Sequence, residues 1–137
     1  MTGKKTLAGI LSVVSAFILI MVILLTSIEY GSFNLDFFRQ EYQKMDTARS
    51  IGMSEDDLMR TTGELLDYIK GERDDLDIRA VIKGEDRQVF NRREIRHMVD
   101  VRALFSLGKQ LRNTGIVLLL LLLVAVRVLT GKSYYRY

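Results

Sequence analysis

The chain contains no cysteine, no proline and a single histidine, His97. Without cysteine there is no disulfide framework, no thiolate nucleophile and no cysteine-based metal site, and the redox compartment is left undecided. Without proline, no helix is broken by a residue that lacks an N–H and clashes with the preceding turn. Also missing are a glycine-rich phosphate loop, a serine-centred elbow, a His-x-x-x-His pair and a basic patch interleaved with aromatics. No internal repeat occurs, and the only low-complexity tract, Leu118 to Leu123, reads as lipid-facing filler.

What is present is segregated. The chain is 48% hydrophobic and 27% charged, and the two classes occupy different stretches. Leu7 to Ile28 carries no charge, and at about 1.5 Å per residue it spans a hydrocarbon layer of about 30 Å. A second apolar block, Thr114 to Val126 with Val128 to Thr130 beyond it, is interrupted by Arg127, whose long side chain reaches toward headgroups. A cleaved signal peptide is the competing reading of the N-terminus, but the apolar run exceeds the roughly 7 to 15 residues of such segments, and no small-x-small cleavage site follows before Tyr30.

The charges next to the spans give an orientation. Lys4 and Lys5 precede the first span, and Arg127, Lys132 and Arg136 belong to the second span's far side; neither flank holds an acid. All 17 acidic residues fall between Glu29 and Arg112. Both termini are therefore expected in the cytoplasm of a multi-pass cell-membrane protein, with the long middle segment outside. The formal charge of +3 is then a topology signal, and no nucleic-acid partner is expected. The expected divisions are a cytoplasmic N-terminus at 1–6, a spanning helix at 7–28, an extracellular cap at 29–113, a spanning helix at 114–130 and a cytoplasmic C-terminus at 131–137. The fold class is mainly α, with two transmembrane helices flanking a small helical cap.

Within the cap, three helices carry start and stop chemistry. The first is expected from Asn34, a capping residue with Phe33 and Phe38 at staple positions, to about Ser50 ahead of Gly52, with Phe38, Tyr42 and Met45 on one face. The second runs from Ser54 to Gly71 with Leu58, Leu65, Leu66 and Ile69 as its buried stripe. The third starts at Asn91, where Glu94 completes a capping box, and leads through Met98, Val101, Leu104, Phe105 and Leu111 toward the second span. Between the last two, Ile78 to Ile82 and Gln88 to Phe90 flank a turn at Lys83 to Asp86, as either a short β-hairpin or a loop.

A cap with such short stripes has a thin core, so it is expected to rest on the bilayer. Tyr30, Phe33, Phe37 and Phe38 cluster just past the first span, where rings suit the headgroup zone. Ala8, Ser12 and Ala16 recur every four residues. That row would admit another helix, from a further pair of membrane helices or from self-association; chance is the equal alternative.

His97 is the one candidate for proton chemistry. It shares a helix face with Glu94 and Asp100, and a carboxylate there would fix the imidazole tautomer and leave the other nitrogen as a base. A solvated side chain is the bland alternative. The acidic runs Glu55 to Asp57 and Asp74 with Asp75 read as helix-start and loop charges, so no metal is expected there.

Three strings carry a resemblance: Ser-Ile-Gly-Met-Ser-Glu-Asp-Asp-Leu at 50–58, Leu-Leu-Asp-Tyr-Ile-Lys-Gly at 65–71 and Glu-Ile-Arg-His-Met-Val-Asp-Val-Arg at 94–102. With them the chain resembles the bacterial lipoprotein intramolecular transacylase family, over both spans and the cap, and matches its N-terminal half. The resemblance implies four spanning helices under an extracellular cap. It implies transfer of an acyl chain from the sn-2 oxygen of a lipoprotein's diacylglyceryl group to the amine of its N-terminal cysteine. A diacylated lipoprotein is then the substrate, the bilayer the other partner, and no cofactor is needed. His97 falls on one of two catalytic histidines as general base and acid, with Asp100 and Glu94 as orienters; the second histidine lies in the half without a counterpart here, so a truncated frame is expected. Tyr30, Phe33, Phe37 and Phe38 would line an aromatic pocket, while Arg93 and Arg96 are oxyanion candidates.

The competing reading is a non-catalytic two-span accessory or interaction protein. A complete sensor is disfavoured because Gly131 to Tyr137 leaves no room for an output domain. The orientation is directly testable: protease added to spheroplasts should cut inside 29–113 and spare tags at both termini. Cleavage only from the cytosolic side would reverse it.

Overall fold

The computed structural model describes residues 2–131; Met1 and the expected tail bases Lys132 and Arg136 lie outside them. In chain order the elements are α1 (Thr2–Ser32), α2 (Leu35–Lys44), α3 (Thr47–Ile51), α4 (Glu55–Lys70), β1 (Arg79–Ile82), β2 (Glu85–Gln88) and α5 (Arg92–Thr130). The described residues divide into two compact units, one taking the chain up to Ile28 and from Gly108 onward, the other Glu29–Leu107.

The first unit pairs the apolar lengths of α1 and α5, both long and apolar enough to cross a membrane. Their outer faces are bare: Val13 and Phe17 are each 72% exposed and Val128 is 75% exposed. Along α1 the inward positions are Ala8, Ser15 and Ile18, with Met21, Val22 and Leu25 half-buried. Gly115 faces them and is the buried residue of α5. A Cβ there would stand 3.1 Å from both Met21 Cε and Val22 Cγ2, so only glycine fits without displacing a neighbour. At Gly108 the added carbon would meet Leu25 Cδ2 at 4.0 Å, an ordinary contact. Of the row Ala8, Ser12 and Ala16, only Ala8 is on the buried face; Ser12 and Ala16 are exposed. Hydroxyls in these helices bond their own backbone one turn back, as Ser15 Oγ does to the Leu11 carbonyl at 2.7 Å, which removes an unpaired donor from the apolar layer. Arg127 donates to the Gly131 carbonyl at 2.8 Å, turning its charge toward the helix end.

In the second unit the capping residues act as the sequence predicts. Asn34 accepts from the Asp36 and Phe37 amides, Ser54 accepts from Asp57 N, and Gly71 ends α4 in the left-handed region at φ 88°. Buried on α4 are Leu58, Thr61, Thr62, Leu66, Tyr68 and Ile69; Leu65 is half-buried. The threonines belong to the stripe because their hydroxyls bond inward, Thr62 Oγ1 to the Leu58 carbonyl at 2.8 Å and to Tyr42 Oη at 3.1 Å.

Two expectations are corrected. The helix predicted over 34–50 is broken into α2 and α3 at Asp46, which takes the left-handed conformation at φ 50°, one that aspartate tolerates better than most residues. Met45 consequently turns outward, 69% exposed, while the new direction brings Ala48 and Met53 to the cluster of Leu58 and Ala80. The hairpin exists, but its turn is the two residues Lys83 and Gly84, both at positive φ, and its second strand is 85–88, paired Ile82↔Glu85 to Arg79↔Gln88. Paired positive φ values define the type I′ turn, whose twist matches the strands. Val89 and Phe90 are thereby released to pack on the Tyr68, Ile69, Leu76 and Ile78 core, and Val89 N donates to the Ile78 carbonyl at 2.9 Å.

Gly115→Leu should lower the melting temperature of the purified protein in detergent by an amount equivalent to about 1–3 kcal/mol of overpacking, whereas Gly108→Ala should be nearly silent. Equal melting temperatures for Gly115→Leu and the parent would overturn the close approach.

Candidate functional site

The first turns of α5 are fixed by their own side chains. Asn91 Oδ1 accepts from the Arg93 amide at 2.9 Å and the Glu94 amide at 3.0 Å, and Glu94 Oε2 accepts from Asn91 N at 2.8 Å. From this start Ile95, Met98, Val101 and Phe105 fall on the face that packs against the Tyr68 and Ile78 core. His97 is one residue, or about 100°, from Met98 around the helix, and is therefore exposed.

The sequence-predicted catalytic set is brought together only as far as helical spacing dictates. Glu94 has one oxygen occupied by the cap. Asp100 stands exposed three residues beyond His97. Among the described residues, neither ring nitrogen of His97 meets a hydrogen-bond partner. The imidazole is thus open to an incoming group rather than locked by a neighbour.

The four aromatic candidates disperse. Phe33 packs on Phe105 with ring centroids 5.3 Å apart and joins the core. Phe37 and Phe38 contact each other at 5.9 Å, and Phe38 leans on Tyr42 at 6.0 Å. Tyr30 is 79% exposed and Phe37 53% exposed. Phe33 and Phe38 hence act in packing, whereas Tyr30 and Phe37 present exposed rings. Arg93 and Arg96 are exposed on α5, near His97 in the sequence.

A cleft of about 120 Å³ lies among α2, α3 and α4, with Tyr42, Ala48, Leu58 and Met59 among its lining residues and Arg39, Asp46 and Glu55 at its polar positions. It contains none of the candidates. On α4, Arg60 bonds Asp57 at 2.9 Å and Glu64 at 2.7 Å; its hydrogen bond holds the Asp57 carboxyl below the usual carboxylate range, with desolvation opposing. Among the described residues no group of three or more His, Asp or Glu side chains converges as a metal site would require.

Two cation–ring contacts carried no sequence signal, since Arg102 is half-buried and Lys70 is exposed. The Arg102 guanidinium lies over the Tyr68 ring at 4.8 Å, and Lys70 Nζ lies 5.4 Å from the Phe33 centroid. Sequence spacing cannot place residues so far apart in the chain.

A family model described as lipoprotein intramolecular transacylase Lit matches residues 13–137. No curated protein and no solved structure matches the chain.

The role of Glu94 as a cap can be isolated. Glu94→Ala should speed amide exchange over the first turn of α5, consistent with a loss of about 0.5–2 kcal/mol, and Glu94→Gln, which retains an acceptor oxygen, should restore most of the protection. Equal fraying in the two variants would remove the capping account.

Proposed function

Because the chain belongs to the lipoprotein intramolecular transacylase family, we propose that it serves acyl transfer within a diacylated lipoprotein, using His97 as the proton-transfer group. The observation that carries this reading is the family match across 13–137, which includes the segment Glu94 to Arg102 and its histidine. Membership brings a membrane context and a lipoprotein substrate, in keeping with two helices apolar enough to cross a bilayer.

The chemistry asks little of the protein beyond positioning and one proton carrier. The α-amine of the lipoprotein's N-terminal cysteine attacks the sn-2 ester carbonyl only when deprotonated. His97 accepts a proton from the attacking nitrogen as the C–N bond forms, then returns it to the glyceryl oxygen as the C–O bond breaks. Ester becomes amide, the glycerol regains a hydroxyl, and nothing is oxidised or reduced. An exposed imidazole suits a substrate that approaches from lipid. Because both reacting groups belong to one molecule, folding that molecule into attack geometry supplies much of the rate.

With one oxygen of Glu94 engaged by the helix cap, Asp100 is the carboxylate more free to steady the protonated ring, and Tyr30 and Phe37 are the rings available to acyl chains. In this reading the 29–113 segment faces outward, as the bases flanking the spans suggest. Any second catalytic histidine must come from outside these 137 residues, which hold one.

The deciding measurement is mass spectrometry of a diacylated lipoprotein from cells expressing the chain or its His97→Ala form. Wild type should yield the N-acylated lyso product, the variant should leave the diacylglyceryl form, and Asp100→Asn should lower product with His97 intact. The same acyl pattern with His97→Ala as with wild type would end the catalytic assignment and leave an accessory role.

A further inference from the structure

Several arginines on the polar unit pair with carboxylates, Arg60 with Asp57 and Glu64, Arg73 with Glu64 and Asp75 and Arg79 with Asp86, while Arg87, Arg92, Arg93 and Arg96 are exposed to solvent. Arg102 is different. It is half-buried, its guanidinium lies over the ring of Tyr68, itself 5% exposed, and among the described residues no carboxylate pairs with it. Its terminal nitrogen lies 3.7 Å from where a Cβ on Gly71 would stand. Gly71 follows Lys70, whose ammonium lies over Phe33 and reaches its nearest carboxylate, Asp67, only at 3.8 Å. Phe33 in turn packs on Phe105, one turn along α5 from Arg102. Two cations therefore lie over rings that belong to one packed core, with Asp67 the carboxylate paired to Lys70.

The end of α4 gives part of the compensation, since cations are favoured near a helix C-terminus. Two of the carbonyls there are already engaged, however: Asp67 O accepts from Glu72 N at 2.8 Å and Tyr68 O from Gly71 N at 3.1 Å. A guanidinium placed over a ring and without a carboxylate partner keeps N–H groups for a further acceptor, and its fork matches two phosphate oxygens. The place of the cluster along the chain says which phosphate. Phe33 follows the end of α1 little more than a turn past Ile28, and Phe105 comes just before Gly108, which approaches Leu25. Aromatic rings with cations beside them at the ends of apolar helices match the headgroup layer of a bilayer.

We propose that Arg102 and Lys70 hold the phosphate of an anionic phospholipid, with Tyr68, Phe33 and Phe105 as the floor of the site. This is separate from the acyl-transfer reading, because a lipoprotein's diacylglyceryl group carries no phosphate. The bound lipid fixes the end of α4 against the start of α5 through its charge.

The test uses the full chain in nanodiscs of phosphatidylcholine alone or with phosphatidylglycerol. Phosphatidylglycerol should raise the melting temperature, and native mass spectrometry should show it retained by the protein. Lys70→Gln and Arg102→Gln should each weaken retention about tenfold, the loss expected for a charge-assisted bond, and Arg102→Lys should recover part of it. The reading is of the lipid-dependent shift within each variant, so a lower baseline for Arg102→Gln does not obscure it. Three results would overturn the site: no shift in the parent, equal loss in the control Arg92→Gln, or the full shift from inorganic phosphate in phosphatidylcholine discs.

Discussion

The faces of α1 and α5 that carry Val13, Phe17, Leu121 and Val128 are covered by no other part of the described chain. In water, leaving a large apolar side chain exposed forfeits about 1.5–3 kcal/mol relative to burial, and there are many such positions on both helices. Lipid removes that penalty but also removes the hydrophobic drive for the helices to meet. What remains is close packing, and this is why Gly115 against Met21 and Val22 matters out of proportion to its size. It is also why the hydroxyls on these helices fold back onto their own carbonyls.

The polar unit works under the opposite condition. It has charge in plenty and a small core, with Ile78 the most deeply buried side chain. Order comes from local closures. Gly52 takes a left-handed conformation and its carbonyl accepts from Lys83 N, so the α3 end and the hairpin turn are tied at one point. A side chain on Gly52 would stand 2.6 Å from Lys83 Cγ. The surface ion pairs of this unit are exposed and contribute little each; the caps and the aromatic contacts carry more of its specificity.

The long helix α5 serves both conditions. The first turns of α5 are held by Asn91 and Glu94, its middle packs on Tyr68 and Ile69, and its apolar length belongs to the paired helices. A histidine on the exposed side of such a helix is rigidly placed yet open to a partner. That combination is what the proposed proton transfer to a lipid-borne substrate requires of it.

Much of this was legible in the residues. The apolar runs, the caps at Asn34, Ser54 and Asn91, and the stop at Gly71 are local signals, read over a few neighbouring positions, and the backbone obeys them. The uninterrupted α5 follows from the absence of proline. The break at Asp46, the outward turn of Met45 and the two-residue turn at Lys83 and Gly84 were not legible, because each is chosen by what it allows elsewhere: Ala48 and Met53 reaching Ala80, and Val89 reaching Ile78. Contacts between distant residues, such as Arg102 over Tyr68, Lys70 over Phe33 and Gly115 against α1, were likewise decided by tertiary structure. Local preference fixes where a helix begins and ends; only packing decides which of its faces finds a neighbour.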